Sequence, residues 1–308
     1  MSAEIRLRDP ASRPGIEHPP RFAALPYAAM ALGVLALGFS AIFVRWAAAP
    51  GPVTGFYRMG LASVFLAPFA LAGRTHRRSW PTAGIHMAAL AGLFLAADVA
   101  LWNTAVNLTS AANAVLFANT APLWVALAAW LLLREKLNGR FWLALLLTLA
   151  GAALVLGTDF FRNPRIGWGD LLALAASLFY AGYFLITQRG REQLPPLPFV
   201  WLMGAISALT LLGISLALRL PLVGYPSQTY LAFLGLALVT QVVGYLAMGY
   251  ALGHLPASLV SPTMVGQLLA TALLAIPLLG EFPSLEQWLG GIGVIAGIVL
   301  VHRARQAA

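Results

Sequence analysis

The chain has 308 residues, of which 60% are hydrophobic and 9% charged, with 19 Lys+Arg against 10 Asp+Glu and a formal net charge of +9. Soluble domains carry about 25% charged residues, so this composition excludes a water-soluble globular protein and points to the bilayer. Cysteine is absent, which excludes disulfides, thiolate metal sites and a cysteine nucleophile.

In chain order, residues 1–26 are polar and proline-rich and lack the apolar core of a cleavable signal peptide. They read as a short disordered cytoplasmic tail. A hydrocarbon core about 30 Å thick takes roughly 20 apolar residues in helix, and loops cannot cross it with unpaired backbone. Ten transmembrane helices are predicted on that basis, at 27–48, 53–72, 84–106, 109–133, 140–157, 167–187, 198–218, 228–252, 256–279 and 286–302. Only NL separates the third from the fourth, and only GHL the eighth from the ninth. Each of these pairs is still too long for a single tilted crossing.

With the N-terminus in the cytoplasm, fourteen of the nineteen basic residues fall inside, leaving Arg45, Arg58, Arg162, Arg165 and Arg219 outside. Both termini are therefore expected in the cytoplasm. An internal repeat supports the count. Phe39-Ser40-Ala41 matches Phe179-Tyr180-Ala181 at an offset of 140, Met59–Ser63 matches Met203–Ser207 at 144, and Ala150-Gly151 matches Ala296-Gly297 at 146. Helices one to five thus correspond to six to ten, and because five is odd the second copy enters the membrane from the opposite side. REKLNGR (Arg134–Arg140) is the cytoplasmic turn and keeps its bases; its counterpart GEFPSLEQ (Gly280–Gln287) is external and has lost them. Inverted repeats of this kind are common in secondary transporters, with substrate near the midplane between the halves.

GFYRMGLAS around Arg58, the ANTAPLWVALAAWLLLREKL run, its counterpart LLATALLAIPLLGEF and the Gly-rich GGIGVIAGIVLVHR resemble the drug/metabolite transporter superfamily. The resemblance covers Tyr27 to His302 and is to ten-helix members built from two EamA domains, most similar among them to exporters of aromatic amino acids. It implies an all-α polytopic membrane protein with ten transmembrane helices in two inverted five-helix EamA repeats. The expected units are 27–157 and 167–302, joined by an external linker at 158–166 and followed by a tail at 303–308.

The chemistry-bearing residues are few. Asp98 stands among apolar residues of helix three, and a carboxylate there faces either a water-filled space or a partner. Its repeat twin is Gly244, so the charge does not belong to the symmetric scaffold. Helical spacing aligns Phe94, Asp98, Trp102 and Ala105 on one stripe, and Gln241, Tyr245 and Met248 on another in helix eight. Amides and hydroxyls can hold a zwitterion and rings can stack on its side chain. Phe39 and Phe43 in helix one are twins of Phe179 and Tyr183 in helix six, an arrangement in which both pairs line one central space. Asn113, Phe117 and Thr120 in helix four and Ser261, Thr263 and Gln267 in helix nine add groups at mid-depth. Each ring has an alternative reading as lipid or core packing, and each polar group as an interhelical hydrogen bond.

Arg58, near the external end of helix two, is read as structural, able to snorkel or meet a carboxylate, with substrate binding as the alternative. Pro122, Pro262 and Pro277 suit kinks. Gly293 and Gly297 suit close packing within the fold or at a homodimer face. The acids in or at the edge of the spans are Asp98, Asp170, Glu135 and Glu281, so proton coupling has few candidates. No nucleotide-binding motif, metal-ligand spacing, cofactor site or nucleic-acid feature is visible. The resulting expectation is an inner-membrane exporter of aromatic and other neutral amino acids in the lipid bilayer, working by alternating access. Export of cationic drugs or of another small metabolite is the alternative, and no enzyme activity is expected.

Overall fold

The computed structural model describes residues 24–72, 80–109, 111–156 and 167–306. Most of the expected tail at 1–26 and all of the linker at 158–166 lie outside them. Among the described residues ten helices are long and apolar enough to cross a membrane, and there is no strand. They are α1 (Ala24–Ala47), α2 (Gly51–Ala72), α3 (Thr82–Leu108), α4 (Ala111–Ala118 and Ala121–Leu131), α5 (Gly139–Leu156), α6 (Trp168–Arg191), α7 (Pro196–Ala217), α8 (Ser227–Leu252), α9 (Ala257–Leu279) and α10 (Leu285–Gln306). The last turns of α6 and α10 carry Arg189, Arg191, Arg303 and Arg305. Cations there suit the negative end of a helix, and both helices outrun their predicted limits at 187 and 302.

The repeat is visible in backbone detail. α4 breaks at Asn119–Thr120 and α9 at Val265–Gly266, positions 146 apart. At both breaks the helix tightens through the same pair of three-residue bonds. Thr120 N–H donates to Phe117 C=O and Leu123 N–H to Thr120 C=O; Gly266 N–H donates to Thr263 C=O and Leu269 N–H to Gly266 C=O. Pro122 starts the second segment of α4, whereas Pro262 and Pro277 sit inside the two segments of α9.

The two helices also end alike. Arg134 and Gly280 both take left-handed conformations, at φ 54° and 69°. The following glutamates then close matching turns, Glu135 N–H on Ala129 C=O at 2.9 Å and Glu281 N–H on Ala275 C=O at 3.3 Å. Each glutamate side chain holds an arginine, Glu135 that of Arg305 at 2.9 Å and Glu281 that of Arg45 at 2.5 Å.

Packing between the halves is reciprocal. α2 lies on α7, α4 on α9 and α5 on α10, while α1 pairs with α8 as α3 pairs with α6. At the α5–α10 crossing Gly151 meets Gly290 and Val294, and its twin Gly297 meets Ala144 and Thr148, the twins of those two. Such exchange of partners is the mark of a two-fold relation. A methyl group at Gly297 would come within 2.6 Å of the Thr148 amide nitrogen, so backbone contact there requires glycine. The largest core cluster runs through the middle of the bundle and takes in Leu95, Tyr183, Met203, Tyr245 and Met248.

Candidate functional site

Of the four acids singled out by the sequence, three are occupied. Asp170 is buried at the start of α6, where Oδ2 accepts the Gly167 N–H at 2.8 Å and Oδ1 the Thr109 hydroxyl at 2.7 Å. Glu135 Oε2 accepts the Ser258 hydroxyl at 2.7 Å besides its arginine, and Glu281 has Arg45. Asp98, half-buried on α3, has no hydrogen bond or ion pair among the described residues.

The cation whose field reaches Asp98 is Arg58 of α2. Arg58 is the eighth residue of a 22-residue helix, about 10 Å from its end. Rather than snorkel, it turns inward. Nε donates to Gln241 Oε1 at 3.1 Å, Nη1 donates to Ser40 Oγ at 3.3 Å, and Cζ lies 5.2 Å from the ring centroid of Tyr245. Side chains of two other helices, α1 and α8, therefore orient it, yet it forms no ion pair among the described residues. Unpaired charges inside an apolar bundle are expensive, so a cation and an anion held apart in one region mark a candidate site.

Local backbone explains the placement. Ser40 opens the second part of α1, just after a break at Phe39. Gln241 sits in a π-helical stretch, Leu236–Gly244, in the middle of α8. π turns widen a helix and recur at functional sites. Asp98 falls on regular α3, whereas its twin Gly244 lies so close to α1 that an added methyl would meet Leu37 Cγ at 3.2 Å. The repeat thus has room for a side chain on one side only.

Rings from α6 and α8 complete the region. Tyr180 and Tyr183 stack with centroids 5.7 Å apart and planes at 6°, Phe184 meets Tyr180 edge-on at 4.8 Å, and Tyr183 lies 5.8 Å from Tyr245. Phe94 meets Phe179 edge-on at 5.4 Å and covers Gly182. Charge from both Asp98 and Arg58 reaches Tyr180 and Tyr245.

The structure therefore brings Asp98, Tyr183, Gln241 and Tyr245 into one region, with Phe179 beside it on α6. Trp102, one turn along α3 from Asp98, is half-buried. Phe39 and Phe43 stack on each other at 5.9 Å, but Phe43 packs on Gly235 and Trp46 in the cluster around Phe233, apart from the cluster that holds Tyr183. Phe117 packs near Ala105, Ala114 and Ala173. Thr120 donates to Ser177 Oγ at 3.0 Å, as does Trp124 Nε1 at 2.9 Å, fastening α4 to α6. Thr263 meets His302 Nε2 at 2.9 Å. The Asn113 side chain lies outside the described residues. Ser40 and Tyr180 join the region beyond the sequence reading, and so does Arg58, for which that reading favours structure over substrate binding; an intramembrane base with no charged twin is the signal that points to it.

The model of the EamA-like transporter family matches twice, at residues 24–157 and 167–303. The chain belongs to the EamA-like transporter family. It is a multi-pass membrane transporter, not an enzyme. The transporter is 27% identical over 228 residues to the uncharacterized transporter YwfM of Bacillus subtilis, covering 73% of this chain and 74% of that one. It is 29% identical over 251 residues to an uncharacterized transporter of Archaeoglobus fulgidus, covering 80% and 85%. A riboflavin transporter of Rhizobium johnstonii is 27% identical over 286 residues, 89% of each chain. A solved crystal structure with 20% identity superposes at a TM-score of 0.73 over 90% of the transporter and 99% of that chain, a likeness of fold.

Proposed function

We propose that the transporter exports amino acids, aromatic and other neutral ones, from the cytoplasm across the inner membrane by alternating access between its two repeats. The observation that carries this reading is the pair Asp98 and Arg58, opposite charges on neighbouring helices with no ion-pair partner among the described residues. A zwitterion offers each its complement, the ammonium to Asp98 and the carboxylate to Arg58. The rings of Tyr180, Tyr183 and Tyr245 suit an aromatic or apolar side chain. The motifs around Arg58 and in GGIGVIAGIVLVHR, which resemble those of ten-helix exporters of aromatic amino acids, support the same reading. Arg58 weighs against a cationic drug, because a second cation would be repelled at short range in a low-dielectric bundle.

A second reading is a flavin or a similar polycyclic metabolite. The stacked tyrosines and the riboflavin transporter relative favour it. The test is efflux from proteoliposomes loaded with labelled phenylalanine, riboflavin or ethidium. The amino-acid reading requires phenylalanine efflux above protein-free vesicles; riboflavin efflux without phenylalanine efflux replaces it with the second reading.

A further inference from the structure

We propose that the side-chain amide of Gln241 and the guanidinium of Arg58 form a two-point seat for the substrate carboxylate, which makes Gln241 the residue that selects carboxylate-bearing substrates over simple amines. The inference rests on the amino-acid reading and narrows it. Gln241 is 1% exposed, and its Oε1 accepts from Arg58 Nε at 3.1 Å. Arginine has donors and no acceptor, so this bond assigns the amide: the oxygen takes the guanidinium and the NH₂ group is left for another acceptor. That Nε2 is buried and has no hydrogen-bond partner. Buried donors are almost always satisfied. An unsatisfied one beside an arginine points to an acceptor brought by a ligand.

The surroundings hold the seat still. Ser40 fixes Arg58 Nη1 from α1, and the Tyr245 ring lies beneath the guanidinium, 5.2 Å from Cζ. Gln241 is set by the π-helical stretch of α8. A carboxylate presents two oxygens, one for the guanidinium and one for Nε2. A primary amide or an ester offers a single neutral acceptor, and an amine offers none. Charge-assisted bonds are roughly twice as strong as neutral ones, so affinity should fall from phenylalanine to phenylalaninamide to phenethylamine. 3-Phenylpropionate, which keeps the carboxylate and lacks the ammonium, should still compete.

The experiment is competition by these four compounds against labelled phenylalanine, using purified full-length protein in proteoliposomes. Wild type should favour phenylalanine over phenethylamine by about tenfold or more, the scale of one charge-assisted hydrogen bond. Gln241→Met removes the whole amide at similar volume, both the donor and the Arg58 acceptor, and should shrink that ratio several-fold by weakening phenylalanine more than phenethylamine. Gln241→Glu keeps an acceptor for Arg58, so it protects the fold, and it should repel the carboxylate and reverse the preference toward phenethylamine. An unchanged ratio in the Met variant, or a Glu variant that still prefers phenylalanine, overturns the proposal. Equal loss of both ligands in the Met variant also overturns it, since that marks a purely structural amide. Absence of any phenylalanine binding by wild type defeats the amino-acid reading itself and the seat with it. Phenylalanine binding with no preference over phenethylamine defeats the seat alone.

Discussion

At the scale of single residues, the site rests on two charges. Asp98 has no bond to lose among the described residues, so neutralising it should leave folding intact. Asp98→Asn is expected to insert and purify normally while phenylalanine transport falls at least several-fold, because a charge-assisted hydrogen bond contributes about 1.5–3 kcal/mol. Wild-type transport by the Asn variant would return Asp98 to a structural role; loss of folded protein would reveal a helix-to-helix bond instead. Asp98, Gln241 and Tyr245 are legible in the sequence because a carboxylate or amide deep in an apolar helix needs a reason to be there. Arg58 is harder to read. A base eight residues into a span is within reach of the interface on a long flexible stem, and only the positions of Ser40 and Gln241 show that the stem bends inward.

At the scale of elements, the sequence carries helix count and repeat but not helix phase. Ten apolar runs are predicted, and ten helices long and apolar enough to cross a membrane are found among the described residues. Periodicity predicts which residues share a face but not how each helix is rotated against its neighbours. Phe39 and Phe43 illustrate the loss. They are sequence twins of Phe179 and Tyr183, yet α1 breaks at Phe39 while α6 runs through Phe179 unbroken, so Phe43 is carried to a different cluster. The π turn in α8, which carries the Gln241 that meets Arg58, is likewise silent in composition. The α5–α10 crossing provides a test of the repeat as packing. Added methyl groups at Gly151 and Gly297 would each come within 2.6 Å of a backbone nitrogen, whereas Gly213 on α7 has nothing within 4 Å. Gly151→Ala and Gly297→Ala should each cost about 1–3 kcal/mol as overpacking does, and by similar amounts since the two sites are twins. Gly213→Ala should be neutral or gain up to about 1 kcal/mol in helix propensity. Thermal unfolding in detergent compares the three; equal midpoints would show that the crossing is loose.

At the scale of the whole molecule, two related halves share one asymmetric site. The caps at Arg134 and Gly280, the breaks in α4 and α9 and the exchanged contacts of α5 and α10 repeat closely. Asp98 and Arg58 have no charged counterparts, for their twins are Gly244 and Leu202. In the proposed mechanism symmetry serves motion: exchanging the conformations of the halves would open the site to each side in turn, while the asymmetric charges would hold its ligand. The end that carries Glu281 and Arg45 and the end that carries Glu135 and Arg305 should move oppositely. The chain has no cysteine, so spin labels can be placed at will on the exposed residues Ala48 and Phe282 at one end, and Lys136 and Arg303 at the other. The decisive measurement is the pair of label-to-label distance distributions in lipid, with and without saturating phenylalanine. Alternating access by an amino-acid carrier predicts that the ligand shortens one distance as it lengthens the other. Two distributions that stay fixed, or that shift in the same direction, would contradict it.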